Sequence, residues 1–198
     1  MSKDNKDISA NPLSGSFGGL GNLSDSSAYT HTDADPILKA AKEILAQIPS
    51  GARLLSILNE YNYPIKTIKG REITYNNPDD KSLFLVLPPH VEGAPELVAL
   101  TLACGLRDLE QGLVGFTRPD KDLDPVEFAS VTFSKSLDII VNMCQIADEL
   151  KENLGFDKPL DIVDDLGHSE LYKAYKAEAD HDTLVDIFVQ GEYEESNN

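Results

Sequence analysis

Two side chains able to hold a metal stand four residues apart in Leu100-Thr101-Leu102-Ala103-Cys104-Gly105-Leu106-Arg107-Asp108-Leu109-Glu110-Gln111. A thiolate and a carboxylate both ligate zinc, and in a helix the positions i and i+4 of Cys104 and Asp108 share one face. Asp148 is the candidate third ligand, with Glu149 beside it. The simpler reading of the same trio is a buried thiol next to a salt-bridged aspartate. As a nucleophile Cys104 is poorly placed. It follows an apolar run in mid-helix, away from the helix N-terminus that would stabilise a thiolate, and no base stands near it in sequence. Gly105 is the anomaly, because a glycine inside a helix costs about 1 kcal/mol relative to alanine. Close approach of another element would give it a packing role.

The other chemically capable residues are scattered. His31, His90, His168 and His181 form no HxxxH pair and no His/Cys cluster, so surface or capping roles fit them best. Glu178-Ala179-Asp180-His181-Asp182 reads as the end of one helix and the cap of the next, because Thr183 to Phe188 resumes an apolar pattern at once. Arg107 reads as an exposed charge whose ion pairs contribute little.

The elements that must position these residues are marked by local signals. Asp35-Pro36 is an N-cap followed by proline at the first helical position, and it opens a helix over residues 37–48. A short helix over 52–61 follows. Residues 64–69, 72–76 and 82–87 are β-like runs separated by Gly70 and by Asn77-Pro78-Asp79-Asp80, the pattern of a small antiparallel meander. Leu83-Phe84-Leu85-Val86-Leu87 does not alternate, which predicts a strand buried on both faces. Ala94-Pro95-Glu96 starts the Cys104 helix, expected to run to about residue 112. Asp124-Pro125 starts a longer one, ended at Leu154-Gly155, and two more helices are expected over 169–179 and 182–190.

Residues 1–33 are rich in Ser, Gly, Asn and Asp and offer little apolar surface to offset their ordering entropy, so a flexible N-terminal tail is expected. The alternative is that Phe17, Leu20 and Leu23 dock as a short linear motif on a partner. A net charge of −17 over 198 residues repels phosphate backbones and anionic headgroups, excluding nucleic acid and membrane surfaces as natural partners. The start lacks a signal peptide's apolar core and no apolar run reaches membrane-spanning length, so a cytoplasmic location is expected. Two cysteines make no disulfide framework. From Asp148 onward fifteen acidic residues face four basic ones, a solvated acidic flank ending in an acidic tail at 193–198.

The order helix, helix, small strands, buried strand, helix ending Leu-Glu-Gln-Gly, then a long helix resembles the zincin-type metallopeptidase core. It is most similar to a bacterial family of metallopeptidase-like domains of unknown function in which the motif helix reads TLAHELRHxxQ. The scaffold letters Thr101, Leu102, Ala103, Leu106, Arg107 and Gln111 match. The chemical letters do not. In HExxH two histidines bind zinc and the glutamate polarises the attacking water, and those positions here are Cys104, Asp108 and Gly105. The family's acidic ligand segment, EADA, corresponds to Ile146-Ala147-Asp148-Glu149, with isoleucine in place of its first glutamate. The resemblance implies a vestigial site at Cys104, Gly105, Asp108 and Asp148, no metal or other cofactor, no peptidase activity, and a cleft edge strand at Glu72, Ile73, Thr74 and Tyr75.

The expected molecule is therefore one α+β domain over residues 34–192, with a three-stranded antiparallel sheet, a zincin-like core and additional C-terminal helices. Its expected function is that of a pseudoenzyme binding a protein partner. The alternatives are a hydrolase with an unconventional metal or thiol site around Cys104, Asp108 and Asp148, and an acidic adaptor unrelated to peptidases.

Overall fold

The computed structural model describes residues 29–31, 35–77, 82–116 and 124–195. Helix α1 (Pro36–Leu45) begins where Asp35 Oδ1 accepts a hydrogen bond from the Ile37 amide at 3.1 Å, and it buries Leu38, Ala41, Ile44 and Leu45. Helix α2 (Pro49–Tyr61) has no cap from its own N-terminal residue. A distant carboxylate does that work: Glu149 accepts from the Ser50 amide at 3.0 Å and from the Ser50 hydroxyl at 2.5 Å, while Gln145 donates to the same hydroxyl.

The sheet corrects the expected meander. It holds β1 (Tyr29–His31), β2 (Ile65–Lys69), β3 (Thr74–Asn76) and β4 (Leu83–Leu87), in the order β1-β2-β4-β3. β2 and β4 run parallel, with Ile65 opposite Leu83 and Lys69 opposite Leu87, while β3 pairs antiparallel with the far side of β4. The sheet is thus mixed, and β2 and β3 never pair. The apolar β4, buried at every residue, takes the centre and needs neighbours on both sides. The chain leaves β2 through Gly70, whose amide donates to Leu87 O at 3.2 Å. A Cβ at Gly70 would meet Val86 Cγ1 at 2.0 Å, so the crossing to the far edge lies tight against β4.

β1 lies within the span expected as a tail and pairs antiparallel with β2, Tyr29 opposite Ile68 and His31 opposite Lys66. The remainder of 1–33 lies outside the described residues. A 3-10 turn at Pro89–Gly93 leads to α3 (Pro95–Leu113), which packs against α1, α2, β3, β4 and α4 (Pro125–Leu154). Burial on almost every side makes α3 the axis of the domain, which is why its sequence is apolar beyond one stripe. α4 ends at Gly155 in the left-handed conformation, and α5 (Lys158–Asp165), α6 (Ser169–Lys176) and α7 (His181–Glu195) complete the fold. The expected acidic tail from residue 193 is a continuation of α7 as far as Glu195. Among the described residues no helix is long and apolar enough to cross a membrane.

Candidate functional site

The Cys104–Asp108 face of α3 points into the domain and is filled. A Cβ at Gly105 would stand 2.6 Å and 3.1 Å from the two Leu83 methyl carbons and 3.3 Å from Tyr75 Cβ. The glycine is a socket in the helix surface, occupied by a β4 leucine that is itself fully buried, with β3 closing its side.

One turn on, both carboxylate oxygens of Asp108 are taken. Lys135 Nζ, from α4, stands 2.6 Å from Oδ1, and Asn77 Nδ2 donates to Oδ2 at 2.6 Å and to Gly105 O at 3.3 Å. The two ion-pair side chains are 11% and 12% exposed. A buried carboxylate needs a countercharge, and here an ammonium supplies it. Cys104 is buried, and burial together with neighbouring Cys144 pushes its thiol up to about 12. Burial likewise pushes Cys144 up to about 12. Both cysteines are free, and both are neutral thiols at physiological pH.

Asp148 does not join this face. It accepts from Tyr172 Oη at 2.8 Å and is gripped by Lys176 Nζ, 2.8 Å from each oxygen, so it fastens α6 to α4. Thirteen residues along α4 separate it from Lys135, a rise of about 20 Å. Glu149 is committed to capping α2. Among the described residues no three His, Cys, Asp or Glu side chains are placed to hold a metal ion.

Arg107 is not the loosely paired surface charge its position suggests. Its Nε and Nη2 grip the two Asp138 oxygens at 2.7 and 2.6 Å, and its Nη1 donates to Glu110, which Arg53 also reaches. Gln111 Nε2 donates to the same Asp138 at 2.5 Å and to Lys135 O at 3.1 Å. Burial raises the Glu110 carboxyl, but hydrogen bonds from Arg53 and Arg107 outweigh it and hold the group below the usual carboxylate range. A concavity of about 290 Å³ lies over this network, bordered by Val114, Phe116 and Ser134.

Asp180 Oδ1 accepts from the Thr183 amide at 2.9 Å, the capping role read from the sequence, and His181 is exposed beside it. His90 is exposed in the 3-10 turn, and His168 sits at the start of α6. Of the expected edge strand, Thr74 and Tyr75 lie in β3 at the end of the sheet order, with Glu72 and Ile73 in the approach to it. Its side toward α3 is the packing against Gly105.

The residues that define this face and escaped the sequence reading are Lys135 and Asn77. Lys135 carried a usable signal as the lone basic residue between 125 and 150, in a helix that had to pack on an aspartate. An open groove of about 580 Å³ lies elsewhere, at the carboxyl ends of β2 and β4, walled by Pro36, Ile37, Ala40, Ile68, Pro89 and Val91. Comparison with protein-family models, with curated proteins and with solved structures found no match.

Proposed function

We propose that this chain is a metallopeptidase-like domain that has exchanged zinc chemistry for protein binding. The observation that carries the reading is the Lys135 ammonium against Asp108, a cation fixed on the carboxylate that would otherwise serve as ligand. A divalent ion approaching there meets a like charge, a protonated Cys104 and no glutamate at 105 to take a proton from water. β3 supports the ancestry, since it is an edge strand, antiparallel to its neighbour, beside the motif helix. The same packing fills the space in which a substrate would lie between β3 and α3. Binding therefore belongs to the outer surface, where a net charge of −17 selects a partner with a basic or mixed face and speeds its approach.

The test is elemental analysis after dialysis against zinc, paired with an assay on an unstructured protein substrate. The expected result is far less than one zinc per chain and no cleavage above background. About one zinc per chain, lost in Cys104→Ala, would overturn the proposal in favour of an unconventional metal site.

A further inference from the structure

The groove at the carboxyl ends of β2 and β4 is the part of the domain whose shape suits an occupant. Its volume of about 580 Å³ falls within the range of ~300–1,000 Å³ typical of ligand sites. Its walls are largely proline and aliphatic: Pro36, Ile37 and Ala40 from α1, Ile68 from β2, and Pro89 and Val91 from the 3-10 turn. The charges at its rim are Asp35, Lys69 and Glu92, which makes it a poor site for an anion and a good one for an uncharged apolar segment.

The chain itself brings such a segment to this place. β1 is antiparallel to β2, with Tyr29 opposite Ile68, so the polypeptide enters β1 from the Lys69 end, and Ile68 and Lys69 both line the groove. Upstream, residues 8–24 contain no Asp, Glu, Lys or Arg, in a protein whose net charge is −17. Their apolar side chains include Phe17, Leu20 and Leu23, spaced by glycines that permit tight turns. Leu23 and Phe17 precede Tyr29 by six and twelve residues, giving reaches of at most about 20 and 40 Å. A tether this short holds the segment at an effective concentration of order millimolar, so weak contacts suffice for occupancy.

We propose that Phe17, Leu20 and Leu23 of the same chain dock in the groove formed by α1, β2 and the Pro89–Gly93 turn. This is independent of the metallopeptidase reading, because none of its residues belongs to the α3 face.

The protein contains no tryptophan, so Phe17→Trp in the full-length chain places a single indole reporter on the segment. The expected result is a blue-shifted emission with severalfold lower acrylamide quenching than in the urea-unfolded chain, independent of protein concentration. Adding Pro89→Asp or Ala40→Lys at partly open groove positions, or Leu20→Ser in the segment, restores solvent-exposed emission while far-UV circular dichroism is unchanged. An indole that emits as fully exposed in the folded parent would overturn the proposal. So would a blue shift untouched by both groove variants, or one that appears only as concentration rises, which would assign the occupant to a second copy.

Discussion

The α3 face around Gly105 and the groove at the ends of β2 and β4 are opposites. The first carries the spacing that could do chemistry and is packed solid; the second carries no motif and stands open. Leu83 fills the socket at Gly105 and Lys135 neutralises Asp108, whereas the groove is walled by prolines and aliphatics. A motif position is defined by sequence spacing, but a usable site also needs space and unclaimed electron pairs. At Cys104, Gly105 and Asp108 the spacing is present without either.

The largest effect that could break this contrast is expected at Lys135. Lys135→Met leaves Asp108 charged and buried, and stranding one member of a buried pair costs about 3–5 kcal/mol. Denaturant unfolding should show that loss, and Asp108→Asn/Lys135→Met together should recover most of it. A single-mutant loss below about 1 kcal/mol would mean that water reaches Asp108 and the face is open.

The thiols sharpen the same point through pH. In the unfolded chain a cysteine ionises near 8.5. Burial raises both thiols to about 12 in the folded protein. A folded-state value above the unfolded one gives stability that is complete below pH ~8.5 and lost as pH rises toward 12. The slope is about 1.4 kcal/mol per pH unit for each thiol. Unfolding midpoints between pH 8.5 and 10 should fall accordingly, and a flat profile would place the cysteines in contact with solvent. The smallest effect belongs to the groove. Pro89→Asp, at an exposed position, should cost about 1 kcal/mol, the stability that docking of the N-terminal segment contributes by linkage, and a loss of several kcal/mol would show that the groove wall is core.

What was legible in the sequence was local. Asp35-Pro36, Asp124-Pro125 and Leu154-Gly155 mark helix ends through contacts within a few residues, and all three do so in the structure. The uniform apolarity of residues 83–87 correctly placed a strand buried on both faces. Strand order was not legible, because β3 reaches the far side of β4 through a crossing that only the Gly70–Val86 contact reveals. β1 was hidden in a polar stretch whose pairing with β2 spans nearly forty residues of chain. The site failed for the same reason: Asp108 meets Lys135 and Arg107 meets Asp138 across two antiparallel helices, and helical periodicity cannot report which residues face one another between helices. Asp148 illustrates the converse, a carboxylate that looked available in sequence and is held by α6.

The measurement that bears most directly on the filled α3 face is the sign of the stability change in Gly105→Ala. In an open, solvent-facing helix the substitution should stabilise by about 1 kcal/mol, the difference in helix propensity. In the packed face the new methyl lands 2.6 Å from a methyl carbon of the fully buried Leu83 and 3.3 Å from Tyr75 Cβ, and overpacking of this kind costs about 1–3 kcal/mol. Equilibrium urea unfolding of the two proteins decides between them. A lower midpoint in Gly105→Ala with unchanged slope is the predicted result, and a midpoint raised by the full helix-propensity gain would contradict the account.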